Sequence, residues 1–352
     1  MLFTKRCCLI FLGLFTSILG QAKIYAPVLD FRIAPTVDRN THTRTPTVSI
    51  PFSFEKKVPI VKVDINGSKN EYFLIDSGAA RTLLNSNQAP RLKILLSNTN
   101  LGPLPGSGDS DEQLIKAAKS VALKLDGTLI LKGDIPAVSL AQLSKDLDLR
   151  ITGIIGYDIL SAHQTKIDYV HRQFSVFKDK EAAARLDEQS IVFRVENNSP
   201  LPIISTEIGI AEQNLGAARI LIDTGFQRAM MISPRFGLKY QLEKLNGWKM
   251  DRGSGIGGEF AYIYGLPGWI AFGGKNFIVP SMSVSQAQSG IFTKNFFDAI
   301  IGGSILSNYE ITFNVHEGII VLRGAVPVQT NNSLNIPDEG GTNGTGGRGA
   351  HA

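Results

Sequence analysis

From Val58 onward the chain is dominated by short apolar or alternating runs that are closed by glycine-bearing turns. Residues 58–65 alternate apolar and polar side chains and end at Asn66-Gly67, a two-residue hairpin signature. Residues 72–75 form the return strand, which delivers Asp76 at its end. The pattern then predicts a short extended piece at residues 82–84, a Gly/Pro/Ser-rich loop between Gly102 and Asp111, and a polar helix-like stretch around Gln113 to Lys119. Strands are expected near residues 121–125 and 128–131. Residues 151–160 read as an apolar strand running into a short helix, and residues 166–169 with 174–177 close the half as a hairpin.

The second half replays this order. Leu201-Pro202-Ile203-Ile204 matches Val58-Pro59-Ile60-Val61 (202 − 59 = 143), and Asp223 matches Asp76 (223 − 76 = 147). Pro280 to Val284 matches Pro136 to Leu140 (280 − 136 = 144), and Ile301-Gly302 matches Ile155-Gly156 (302 − 156 = 146). Four blocks in one order at a near-constant offset indicate an internal duplication of two β-rich units, joined near residues 180–200. Two copies make a pair of lobes rather than a solenoid. The expected fold class is therefore all-β and two-lobed, with lobes spanning 48–190 and 191–326.

Composition agrees. The 352 residues suffice for two domains of about 150 residues each. A hydrophobic content of 43% against 19% charged supports a large core, and 35 glycines suit a turn-rich β protein. The first 22 residues have the layout of an export signal: Lys5 and Arg6, an apolar run from Cys7 to Leu19, then Gly20-Gln21-Ala22. At 13 residues that run is short for a bilayer span, so no stable membrane anchor is expected. The exported chain, periplasmic or secreted, would keep neither Cys7 nor Cys8 and would carry no disulfide. Its formal charge would fall from +5 to +3 (5 − 2) as Lys5 and Arg6 leave, and no basic stripe interleaved with aromatics supports nucleic-acid binding. Residues 23–47 read as a linker or a basic prosegment, and residues 327–352 as a glycine-rich tail.

The chemistry sits where the two halves match best. Phe73-Leu74-Ile75-Asp76-Ser77-Gly78 and Ile220-Leu221-Ile222-Asp223-Thr224-Gly225 each end an apolar strand in a carboxylate, a small hydroxyl and a glycine. Pseudo-twofold packing would bring Asp76 and Asp223 together. Two carboxylates at hydrogen-bonding distance cannot both ionise cheaply, so they share a proton. One can then act as base towards a water while the other protonates a carbonyl oxygen, which hydrolyses an amide without metal, cofactor or nucleophilic side chain. Gly78 and Gly225 free backbone N–H groups to turn towards the carboxylates. Ser77 and Thr224 can hydrogen-bond across the interface.

At these residues the chain resembles the pepsin/retropepsin-like aspartic proteases, in particular bacterial members with tandem retropepsin-like lobes. The motifs are Ile75-Asp76-Ser77-Gly78-Ala79, Ile222-Asp223-Thr224-Gly225 and the apolar blocks ending at Gly156 and Gly302, within residues 50–325. The resemblance implies a pepsin-like fold of duplicated β-barrel lobes with short helices. It assigns Asp76 and Asp223 as the catalytic dyad, supported by Ser77, Gly78, Thr224 and Gly225, with a polypeptide substrate in the interlobe cleft of a monomer. It also implies flap hairpins over that cleft, with candidates at Gly106, Ser107 and Gly108 and at Ser254, Gly255 and Ile256 within Gly253 to Gly258. Two departures stand out. Ala79 and Phe226 occupy positions where pepsins usually have a hydroxyl bonded to the carboxylate, and the first flap candidate holds no tyrosine. Fewer bonds to the ionised dyad should raise its pKa values and move the pH optimum to milder acid.

Other motifs carry less. Gly253, Gly255 and Gly258 fit Gly-x-Gly-x-x-Gly, but the residues after them read as strand where a dinucleotide site needs a helix. The five histidines lack ligand spacing, so no metal is expected, and no Gly-x-Ser-x-Gly elbow appears. The competing reading is a catalytically inactive lobe pair that binds peptide without cutting it, with Phe226 crowding the site as the feature in its favour.

Overall fold

The computed structural model describes residues 7–9, 45–98, 103–104, 113–177, 186, 190–197, 199–314 and 316–324. The chain is all-β and two-lobed, with four α-helices of at most six residues among the described elements. No helix among the described residues is long and apolar enough to cross a membrane.

Each lobe is built around the same knot of strands. In the first, Ser68–Ile75 pairs antiparallel with Ile60–Ile65 and parallel with Ile151–Ile155. Ile151–Ile155 also pairs antiparallel with Leu83–Asn85, which runs parallel to the end of Thr128–Val138. In the second lobe, Gln213–Ile222 pairs antiparallel with Ile203–Ile210 and parallel with Ala299–Ile301. Ala299–Ile301 takes Met230–Ile232 antiparallel, and Met230–Ile232 runs parallel to Met282–Ser285. The central strands are buried on both faces, which is why they read as continuous apolar runs. Gly156 and Gly302 end the two threading strands at a point where the backbone leaving the aspartate loop passes. A Cβ at Gly156 would collide with the Arg81 backbone, and one at Gly302 with the Phe226 carbonyl.

The lobes are joined by hydrogen bonds as well as by packing. A twelve-stranded sheet runs from Ser190–Arg194 through Ile319–Arg323, Glu310–Asn314, Gln164–Asp168 and Gln173–Phe177 to Val48–Ser53, and on into the first lobe. At its centre Gln164–Asp168 lies antiparallel to Glu310–Asn314, and Lys166 faces Thr312. Those two are separated by 146 residues (312 − 166), the offset that also relates Gly156 to Gly302, so the pseudo-twofold axis passes through this pair. The two halves are thus continuous in this sheet. The closing hairpin of the second half is hydrogen-bonded to that of the first.

One predicted element is wrong. The stretch around Gln113 to Lys119 is not helical: it contains the strand Gln113–Leu114 and the start of Lys116–Leu125, a ten-residue strand paired with Thr128–Val138. Ser120 takes a positive φ of 53° and the register shifts between Ala118 and Val121, a bulge that breaks the two-residue alternation. The inward side chains Ala117, Ala118, Val121, Leu123 and Leu125 are buried, so packing overrides the local polarity. Of the segment read as an export signal, only Cys7–Leu9 is described, as a strand parallel to Lys249–Gly255. Residues 23–44 and 325–352 lie outside the described residues.

A shared sheet predicts shared unfolding. Ile167 is fully buried in the central strand and faces Ile311 across the lobes. Ile167→Ala should cost about 2–5 kcal/mol. Both tryptophans, Trp248 and Trp269, lie in the second half. Their fluorescence should nevertheless report this first-half substitution as one transition moved to lower denaturant. A tryptophan transition left unmoved would show that the lobes unfold independently.

Candidate active site

Two equivalent strand ends present the carboxylates. Asp76 comes directly after Ser68–Ile75 and its N–H donates to the Ile155 carbonyl at 3.0 Å; Asp223 comes directly after Gln213–Ile222 and donates to the Ile301 carbonyl at 3.0 Å. The residue before each is held in the same way, Ile75 N–H by the Pro59 carbonyl at 2.9 Å and Ile222 N–H by the Pro202 carbonyl at 3.0 Å. The threading strands thus fix the backbone from which each acid emerges.

Beyond the acids the two loops interlock. Ser77 N–H donates to Thr224 Oγ1 at 3.0 Å, and Thr224 N–H donates to Ser77 Oγ at 3.0 Å. Ser77 Oγ in turn donates to the Ile222 carbonyl at 2.6 Å, and Thr224 Oγ1 to the Ile75 carbonyl at 2.9 Å. All four bonds are buried and cross between lobes. Each hydroxyl is used once as donor and once as acceptor, so neither residue tolerates loss of its oxygen without orphaning a buried N–H and a carbonyl.

The carboxylates meet in the middle. Gly78 and Ala79 N–H donate to Asp76 Oδ1 at 2.8 and 3.2 Å, and Gly225 N–H donates to Asp223 Oδ1 at 2.8 Å. Each glycine also lies flat against the opposite acid. A Cβ on Gly78 would sit 2.5 Å from Asp223 Oδ2, and one on Gly225 would sit 2.5 Å from Asp76 Cγ. Only glycine fits there. Both acids are fully buried, and their Oδ2 atoms are buried without a hydrogen-bond partner. Two inward-facing acceptors with no donor are costly unless a proton is held between them.

The electrostatics come from this enclosure. Burial raises the Asp76 pKa well above the carboxylate range, and the neighbouring Asp223 charge raises it further. Burial raises Asp223 too, offset by hydrogen bonds from Asp76, Gly225 and Phe226. The pair titrates together, and the half-protonated state is its favoured form over an intermediate pH range.

The six dyad and support residues expected from sequence, Asp76, Ser77, Gly78, Asp223, Thr224 and Gly225, are brought together. Ser254, Gly255 and Ile256 lie at the end of a hairpin formed by Lys249–Gly255 and Gly258–Tyr264. The first-lobe flap candidate, Gly106, Ser107 and Gly108, lies outside the described residues. Phe226 is fully buried in a cluster with Leu221, Met231, Phe260 and Phe292 that also takes in Ala80 of the first lobe. Its counterpart Ala79 packs in a different cluster, formed by first-lobe residues together with Ile256 of the second.

Two contributors were not visible in sequence. Tyr169 is fully buried with its hydroxyl unpartnered, and burial together with the Asp223 charge raises its pKa. Asp146, on the helix Ala141–Asp146, accepts a hydrogen bond from Ser254 across the lobes. Neither residue lies in a repeated motif. Among the described residues no three His, Cys, Asp or Glu side chains gather as a metal site. No family model matches the chain, and comparison with curated proteins gives no significant match.

The raised pKa values give a stability signature. A carboxyl whose pKa is higher folded than unfolded contributes stability that is fully present below the unfolded value, about 4, and lost as pH rises through the folded value. Asp76→Asn removes this penalty. Urea unfolding should show the variant gaining on the wild type between pH 4 and pH 7, by about 1.4 kcal/mol for every tenfold by which folding tightens the proton on the dyad. A gap that does not change with pH would contradict a raised dyad.

Proposed function

We propose that the chain is an aspartic endopeptidase that hydrolyses peptide bonds with the Asp76/Asp223 dyad. The observation that carries this reading is the pair of fully buried carboxylates whose Oδ2 atoms lack partners, on loops locked to each other by Ser77 and Thr224. A purely structural pair would be cheaper as two amides or two apolar residues. The resemblance of the Asp-Ser-Gly and Asp-Thr-Gly motifs to the pepsin/retropepsin-like proteases supports the same reading. The substrate is a polypeptide in the interlobe cleft, and the enzyme acts as a monomer after export.

In the reaction, the ionised carboxylate takes a proton from a water as the water oxygen bonds to the scissile carbonyl carbon. The protonated carboxyl gives its proton to the carbonyl oxygen, forming a neutral gem-diol. Collapse breaks the C–N bond as a proton passes to the departing amine, and the dyad returns to its singly protonated state. The hydrogen bonds from Gly78, Ala79 and Gly225 hold the outer oxygens, leaving the inner oxygens for chemistry. The interlock prevents the two acids from drifting, and sub-ångström placement matters for such transfers. With few donors on the dyad and deep burial, the singly protonated form extends into mild acid.

Cleavage of an unfolded protein across pH 3–7 tests the reading. Wild type should cut with an optimum in mild acid and be inhibited by pepstatin. Asp76→Asn should lose at least about a thousandfold in kcat while staying folded. A wild type that binds peptide but cuts nothing would place the chain among inactive peptide binders.

A further inference from the structure

The hairpin Lys249–Gly255/Gly258–Tyr264 belongs to the second lobe, where Gly258–Tyr264 pairs with Met282–Ser285. Its tip, however, is bound by the first. Ser254, 1% exposed, donates its hydroxyl to Asp146 Oδ2 at 2.5 Å. The other oxygen of Asp146 accepts from Gln142 Nε2 at 2.8 Å, one turn earlier on the same short helix. Gln142 therefore sets the rotamer of the carboxylate towards the hairpin. Two residues on from Ser254, Ile256 is 3% exposed within a first-lobe apolar cluster that includes Leu143 and Leu147 flanking Asp146 and, next to the catalytic glycine, Ala79. A polar anchor and an apolar plug thus fix one hairpin tip to the opposite lobe, beside the loop that carries Asp76.

The edge of this hairpin also holds an extended segment. Cys7–Leu9 lies parallel to Lys249–Gly255 with Cys7 opposite Gly253, Cys8 opposite Ser254 and Leu9 opposite Gly255. A strand can therefore occupy that edge while the Ser254 hydroxyl remains bonded to Asp146, because the ladder uses backbone groups and the anchor uses the side chain. The anchored geometry is compatible with an occupied edge.

We propose that Asp146 is a positioning residue for the hydrolysis proposed above, acting through Ser254 to clamp the second-lobe hairpin over an extended peptide. The proposal rests on the aspartic protease reading. Its physical content is that peptide pairs with the edge of Lys249–Gly255, and that the cross-lobe bond holds the closed form in which the peptide is retained. The anchor touches neither the scissile bond nor the dyad. Its loss weakens ground state and transition state alike, so KM changes and kcat does not.

The test uses the full chain and compares wild type with Asp146→Ala, Ser254→Ala, the double variant and Asp146→Asn. Amide exchange across residues 249–264 should be about ten- to a hundredfold faster in each alanine variant, as expected for losing one hydrogen bond to a charged acceptor. KM for a cleaved peptide should rise about tenfold with kcat within about twofold. The double variant should go no further than either single change, since both remove one bond. Asp146→Asn, which keeps a carbonyl acceptor, should stay near wild type in both readouts. Unchanged exchange in the alanine variants would overturn the anchor whatever the kinetics, and a fall in kcat with KM fixed would overturn the positioning role. Should wild type cleave nothing, the protease reading fails by itself, and the exchange result still decides whether Asp146 clamps the hairpin.

Discussion

The reciprocal bonding of Ser77 and Thr224 is the constraint on which the rest of the structure depends. Each residue accepts the backbone N–H of the other and returns its own hydroxyl proton to the strand that precedes the other's aspartate. Such an arrangement closes only when the two loops are related by a near-twofold axis. The same axis recurs at the base of the molecule, where Lys166 faces Thr312 across the central strands. The duplicated sequence, the shared sheet and the paired acids are thus consequences of one symmetry. A buried four-bond network is worth more than its parts, because any single loss leaves unpaired groups that water cannot reach.

That rigidity makes it feasible to hold two acids where neither solvent nor countercharge relieves them. Burial dominates the upward shift of both pKa values. The backbone N–H groups that oppose the shift approach only the outer oxygens, so they orient the carboxylates without quenching the inner pair. Tyr169 adds a second unrelieved polar group close enough to feel the Asp223 charge, with Arg172 acting against it. The energetic strain of the site is offset by the large apolar core around it, in which the strands flanking each acid are buried on both faces.

The fold class and the dyad were legible in sequence because both arise from local, repeated signals. The Asp-Ser/Thr-Gly triplets end apolar runs, and matched blocks such as Ile155-Gly156 and Ile301-Gly302 recur at one offset. What failed had a non-local cause. The first part of the strand Lys116–Leu125, before residue 121, was hidden by the bulge at Ser120, which shifts the alternation by one residue, and by two alanines that carry no strand preference of their own. Asp146 could not be found because its partner Ser254 lies 108 residues away on the other lobe. The place of Phe226 next to Gly225 in the chain says nothing of which way its side chain turns. In the fold it is fully buried among Leu221, Met231, Phe260 and Phe292, with Ala80 of the first lobe in the same cluster.

Within the twofold frame the lobes are not equivalent. At the threading helices, Asp158 accepts from the Thr82 N–H and hydroxyl, whereas the matching residue at offset 146 (304 − 158) is Ser304, which donates to the Gln227 carbonyl. The residue after the glycine of each Asp-Ser/Thr-Gly triplet is Ala79 in one lobe and Phe226 in the other. The second-lobe hairpin crosses to the first and is met there by Asp146 and an apolar socket. A symmetric interlock requires the residues that form it to stay matched, and they have: Ser77 with Thr224, Gly78 with Gly225. Residues that meet the hairpin or fill the lobe interiors are under no such requirement. The symmetry is thus kept where the two buried carboxylates meet, and under the proposed peptidase reading the asymmetry at the hairpin suits a polypeptide, which has direction.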